Sequence, residues 1–156
     1  MQRARQRDKV SVAAALTISP VRGHLGLHYR SYPNAYINAE LYSLFLRSLL
    51  QHVHNPLVVI QDQGGMHKGP VIRELCQAYP RLDMNMLPAY APDYNPVECL
   101  WNHLKYHELG NFAPLTVQHL DITVRGCLDE CRYDQARLRS FFVASALPWA
   151  GVTGII

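Results

Sequence analysis

"PLVVIQD", Pro56 to Asp62, is a continuous apolar run of strand length, bounded by a proline before it and by "QGG" after it. A run without polar alternation predicts a strand covered on both faces by helices. Working outward, Gly69 to Ala78 predicts a helix that carries Val71, Ile72, Leu75 and Cys76 inward, and "LDMNMLP", Leu82 to Pro88, predicts a second short strand. Toward the N-terminus, "VSVAAALTIS" (Val10 to Ser19) and "GHLGLHYR" (Gly23 to Arg30) read as a hairpin around a short turn. Between hairpin and strand, Leu41, Leu44, Phe45, Leu46 and Leu49 fall at helical spacing over Ala39 to Val53, with Asn38 available as N-cap. Beyond the second strand, Val97, Leu100, Trp101 and Leu104 form an apolar stripe on a helix from Pro96 to about Leu109. Leu115 to Phe142 reads as mostly helical. The order β, β, α, β, α, β, α and then helix implies an α/β fold, a mixed sheet with helices on both faces.

A chain of 156 residues, 49% hydrophobic and 17% charged, has the size and composition of one globular domain. Its net charge of +3 arises at the start, where Arg3, Arg5, Arg7 and Lys9 face only Asp8. Residues 1–9 therefore form a basic arm, either a solvated terminus or a contact for DNA phosphates. No apolar segment has the length of a membrane span or the form of a signal peptide, so a cytoplasmic protein without a membrane partner is expected. Cys76, Cys99, Cys127 and Cys131 make no C-x-x-C pair and read as plain thiols. His103 and His107 are spaced i, i+4, but Leu104 stands where a metalloprotease H-E-x-x-H needs its glutamate. No G-x-S-x-G elbow or Gly-rich phosphate loop is present, which sets aside acyl transfer and nucleotide binding.

Two carboxylates remain as candidates. Asp62 closes the buried strand, and the carboxyl ends of strands in open α/β sheets are where ligand groups gather. An Asx turn or a cap on the next helix is the alternative. Glu98 has a similar double reading: with Asn95 as N-cap and Pro96 at the first helical position, it stands where a capping box places its acid.

The flanking segments resemble one family. "VVIQDQGGMHKG", Val58 to Gly69, is similar to the strand and D-N-x-x-x-H segment of DDE transposases of the Tc/mariner superfamily, in particular its bacterial insertion-sequence branch. "LPAYAPDYNPVECLW", Leu87 to Trp101, resembles that branch's L-P-x-Y-S-P-x-L-N-P-I-E-x-x-W, with Leu87, Pro88, Tyr90, Pro92, Asn95, Pro96, Glu98 and Trp101 in register. Gln63, Ala91 and Tyr94 depart from the usual Asn, Ser and Leu without removing a charge. The likeness extends more loosely over Lys9 to Leu120.

The resemblance implies a ribonuclease-H-like fold, with Asp62 and Glu98 as the second and third catalytic carboxylates and ligands of two Mg²⁺ or Mn²⁺ ions. Hard oxygen donors suit that chemistry, and the N-terminal turn of a helix favours a carboxylate. His67 and Lys68 are candidates to reach DNA phosphate or orient the site, and Asn95 to position the Glu98 turn; capping and a solvated surface are the alternatives for Asn95 and Lys68. DNA, namely transposon ends and target, is the implied partner. In the family the first catalytic aspartate lies on a strand upstream of the hairpin, and Asp8, within the basic arm, does not match it. The sheet is therefore expected to lack its first strand, and residues 10–145 to form the C-terminal part of a catalytic domain, followed by a tail over 146–156. Such a piece is expected to be incomplete alone and to self-associate or bind a full-length transposase. A non-catalytic protein that binds DNA or a transposase is the competing role.

Overall fold

The computed structural model describes residues 9–146. Strands β1 (Val10–Ile18) and β2 (Leu25–Pro33) form the antiparallel hairpin, in register from Val10 opposite Pro33 to Ile18 opposite Leu25. The turn closes through Ser19 N–H to His24 O and Gly23 N–H to Ser19 O, and Gly23 takes the left-handed φ of 62° that a Cβ disfavours. Helix α1 (Ala39–His52) starts at Asn38, whose side chain accepts the Leu41 N–H at 2.9 Å. Its buried stripe is Tyr42, Phe45, Leu46, Leu49 and Leu50. The expected stripe is thus corrected at Leu44, which is exposed: with Phe45 and Leu49 fixed inward, Tyr42 rather than Leu44 completes the face.

Strand β3 (Leu57–Gln61) pairs in parallel with β4 (Leu82–Met86), and α2 (Pro70–Ala78) makes the crossover. Helix α3 (Pro96–His103) runs on into a π-helical turn over Leu104–Glu108, a wider winding than the continuous α-helix expected to Leu109. Helix α4 (Val117–Tyr133) is capped by Thr116 and α5 (Gln135–Ala144) by Asp134, which divides the long helical stretch expected from the sequence. None of the helices among the described residues is long and apolar enough to cross a membrane.

Two apolar cores result, one on each side of the hairpin. Ala13 of β1, with the inner faces of α1 and α2 and Leu82 of β4, forms one; Leu25 and Leu27 of β2, with Leu100, Leu128, Leu138 and Phe142 from the later helices, form the other. Because α3, α4 and α5 gather over β1 and β2, the expected double cover of β3 is not found. Leu57 and Val59 face the first core, whereas Val58 and Ile60 are 61% and 43% exposed.

The mixed sheet is also divided. β1 pairs only with β2 and β3 only with β4, so among the described residues the other edge of each carries unpaired backbone groups. What joins the halves is side-chain packing over α1, assisted by Arg81. Its guanidinium donates to Val53 O and Asn55 O, at 2.5 and 2.9 Å, and to Leu50 O, satisfying carbonyls that the end of α1 leaves open. Arg81→Met is expected to lower unfolding stability by about 2–3 kcal/mol in urea titrations, the scale of charge-assisted hydrogen bonds lost from a partly buried site. Arg81→Lys recovers only part, since an ammonium lacks the planar fork that reaches several carbonyls at once.

Candidate active site

The site begins where the parallel ladder closes. Leu87 N–H donates to Gln61 O at 2.7 Å, so the residue after β3 and the loop after β4 start side by side. Asp62 follows Gln61 directly. Its Oδ1 accepts the Gly64 N–H at 2.8 Å, an Asx turn that occupies one oxygen of a carboxylate still 57% exposed.

Behind Asp62 lies a buried polar stack. Gln61 is enclosed, and its Oε1 accepts the Tyr42 hydroxyl at 2.5 Å while its Nε2 lies 3.5 Å from His67 O. The His67 ring stacks on Tyr42 with centroids 4.5 Å apart and planes 9° from parallel. His67 Nδ1 stands 3.5 Å from Asp62 Oδ1, an ion-pair distance too long for a good hydrogen bond, and is buried without a well-formed hydrogen bond. Burial pushes the His67 pKa down against the pull of the Asp62 charge, which favours the neutral ring. Burial, and secondarily Asp62, pushes the Tyr42 phenol well up, so it stays a donor.

Glu98 comes from the other side, in the first turn of α3. Asn95 caps that helix, its Oδ1 accepting the Val97 N–H at 3.2 Å. The Asn95 N–H, which a capping box would give to Glu98, goes instead to Pro92 O at 2.9 Å. The expected box is therefore not formed: Asn95 caps at Val97 rather than at Glu98, and its own N–H is taken by the 3-10 turn over Pro92–Tyr94.

Asp62, Lys68, Asn95 and Glu98 line one cavity of about 480 Å³, together with Gly64 and the loop from Pro88 to Pro92. His67 is not on that lining; it sits behind Asp62. Lys9 is not there either: its ammonium lies over the Tyr36 ring at the foot of the hairpin. Arg3, Arg5 and Arg7 lie outside the described residues. Sequence reasoning missed Tyr42, Gln61 and Gln63, whose amide donates to Leu87 O at 3.1 Å and braces the loop. A polar residue ending an otherwise apolar run was the signal for Gln61.

The donor set suits a hard cation. Two carboxylates are the oxygen type that Mg²⁺ takes, and Mg²⁺ is commonly held by one or two carboxylates with water completing its shell. No group of three His, Cys, Asp or Glu side chains forms a cage among the described residues. The other sizeable cavity, about 410 Å³ between β2 and α1, has His24, His28, His52 and Arg132 on its wall and no carboxylate.

Residues 2–119 match the family model of the DDE superfamily endonuclease. The chain belongs to that family. None of the curated proteins matches it. Among solved structures, the catalytic domain of Mos1 mariner transposase is similar over 86% of this chain and 74% of its own, with 16% identity and a TM-score of 0.57. A structure of the Mos1 catalytic domain with raltegravir and Mg is similar over 86% and 75%, at 18% identity and a TM-score of 0.55. The Mos1 paired-end complex with the left transposon end aligns over 87% of this chain and 50% of that one, at 15% identity and a TM-score of 0.52. These likenesses show the ribonuclease-H-like fold of a transposase catalytic domain, into which the DDE chain's hairpin, parallel pair and covering helices fall.

The stack behind Asp62 has a measurable pH signature. A histidine whose folded pKa is depressed binds fewer protons than the unfolded chain does, so stability rises with pH through the window below the ordinary value of about 6.5. The benefit of the neutral ring is complete above that value and is lost as pH falls toward the folded one. His67→Gln is expected to make the loss of stability shallower as pH falls below about 6.5, read as urea midpoints. His28 and His103, also depressed, contribute to the same slope.

Proposed function

We propose that Asp62 and Glu98 are two carboxylates of a two-metal centre that cuts and joins DNA strands, in a transposase of the bacterial insertion-sequence kind acting in the cytoplasm. The observation that carries this reading is their convergence on one cavity from different elements, β3 and α3, with a lysine on the same wall. Mg²⁺ or Mn²⁺ held there would activate an attacking water or hydroxyl and stabilise the leaving oxygen of a phosphodiester. Asp62 is fixed by its Asx turn and backed by His67, Glu98 is carried by the first helical turn, and Asn95 sets that turn. Lys68 faces a scissile phosphate as a point charge.

Two carboxylates hold a metal pair poorly. We infer that the centre needs a further acid, supplied by a strand that pairs with a free edge of β1 or β3, and that this chain by itself sustains little strand transfer. Those edges also favour a second reading, an interaction protein that binds its own kind, a full-length transposase or DNA through strand pairing.

Mn²⁺ titration followed by electron paramagnetic resonance is expected to show weak binding by the chain, lost in Asp62→Asn and in Glu98→Gln. Equal binding by both variants would remove the metal reading. Robust Mg²⁺-dependent DNA cleavage by the purified chain, abolished by Asp62→Ala, would instead establish the catalytic role and overturn the incompleteness. Partner or DNA binding that survives Glu98→Gln, with no metal bound by the wild-type chain, would favour the interaction role.

A further inference from the structure

We propose that Tyr90 is a stacking platform for an unpaired nucleobase at the mouth of the carboxylate cavity. The proposal rests on the DNA reading above and adds a subsite to it. Tyr90 lines the cavity that holds Asp62, Lys68 and Glu98. Its ring is fully open to solvent, at 103% relative exposure, and takes part in no ring stacking or cation–π contact among the described residues.

The backbone makes this placement unusual. Tyr90 has φ of 57°, in the left-handed region that glycine or asparagine enters with less strain. Nor is the loop free to relax. On one side Leu87 is tied to Gln61 O and to the Gln63 amide; on the other, Tyr94 N–H donates to Ala91 O at 3.2 Å and Ala146 N–H to Asp93 O at 2.8 Å. Pro88 and Pro92 stiffen the two approaches. A strained, anchored backbone that turns a large aromatic ring into water beside a reactive cavity is the arrangement expected of a functional contact, since packing gains nothing from it.

The chemistry of the neighbours selects the ligand. Lys68 offers a cation to a phosphate, and the two carboxylates offer oxygen to a metal bound at that phosphate, so the open ring beside them meets the next part of a nucleotide, its base. Every base has a π face, so stacking is tolerant of sequence. The base must be unpaired and out of its stack, as at a strand end or a flipped position, for its face to reach the ring.

The test uses the full 156-residue chain in Ca²⁺ with a short duplex ending in a single-stranded overhang, its first unpaired base replaced by a fluorescent adenine analogue. Binding is expected to quench the analogue in the wild type, in Tyr90→Phe and in Tyr90→Trp. Tyr90→Ala is expected to abolish quenching and weaken overhang binding by about tenfold, the scale of one base–aromatic stack, while leaving blunt-duplex affinity unchanged. Tyr90→Gly is expected to raise the thermal midpoint by relieving the backbone while still losing the quench, which separates stacking from folding. Equal quenching and affinity in Tyr90→Ala, with DNA still bound, overturns the platform alone. Failure of the wild-type chain to bind either DNA overturns the platform together with the DNA reading on which it rests.

Discussion

The hydrogen bond from Leu87 N–H to Gln61 O is the constraint on which the site depends. It is the last rung of a five-residue parallel pair and joins the two points where the chain leaves that pair. Asp62 is one residue beyond the first point, and the loop leading to Glu98 begins at the second. A shift of one residue in this register would turn Gln61 out of its enclosed position and separate Asp62 from the loop. The Gln63 amide on Leu87 O and the Tyr42 hydroxyl on Gln61 hold the same junction from either side. The side chains around the site therefore serve first to keep a backbone contact in place.

That junction is anchored to the rest of the molecule unevenly. The hairpin is packed on both faces, by α1 on one side and by α3 to α5 on the other, whereas β3 is packed on one. Among the described residues each pair has unbonded strand edges, and Val58 and Ile60 of β3 face solvent. Unpaired edges next to exposed apolar residues are a liability for an isolated protein and an asset for one that accepts another strand. Asp62 directly follows β3, so whatever pairs with the free edge of β3 also approaches it.

Much of this architecture was legible in the residues, and the failures have identifiable causes. Periodicity located the strands and the first three helices because each has a face buried on a local partner, as with Leu25 and Leu27 or with Phe45 and Leu49, but it ran α4 and α5 together. It misjudged Leu44, where several neighbouring leucines left the orientation of the stripe to tertiary contacts. It also overestimated the cover on Val58 and Ile60, since apolar composition records what a strand tolerates and not which helices reach it. Asp62 and Glu98 stand out in the sequence through their motifs, and both line one cavity. Tyr42 does not stand out, because a buried tyrosine on a helix looks like any core aromatic until the Gln61 it serves is known to be enclosed. The left-handed conformation of Tyr90 has no sequence signature at all; it follows from two anchored ends and a fixed loop length.

Glu98 shows how a local rule can be satisfied and still leave a functional group available. The first turn of α3 needs partners for its open N–H groups, and the capping box would have engaged the carboxylate. Here Asn95 meets Val97 N–H by itself, Pro96 has no N–H to satisfy, and the Asn95 donor is consumed by Pro92 O. The helix start is thus served without Glu98, whose charge is still favoured by the helix dipole. Glu98 lines the cavity with its carboxylate released from the cap.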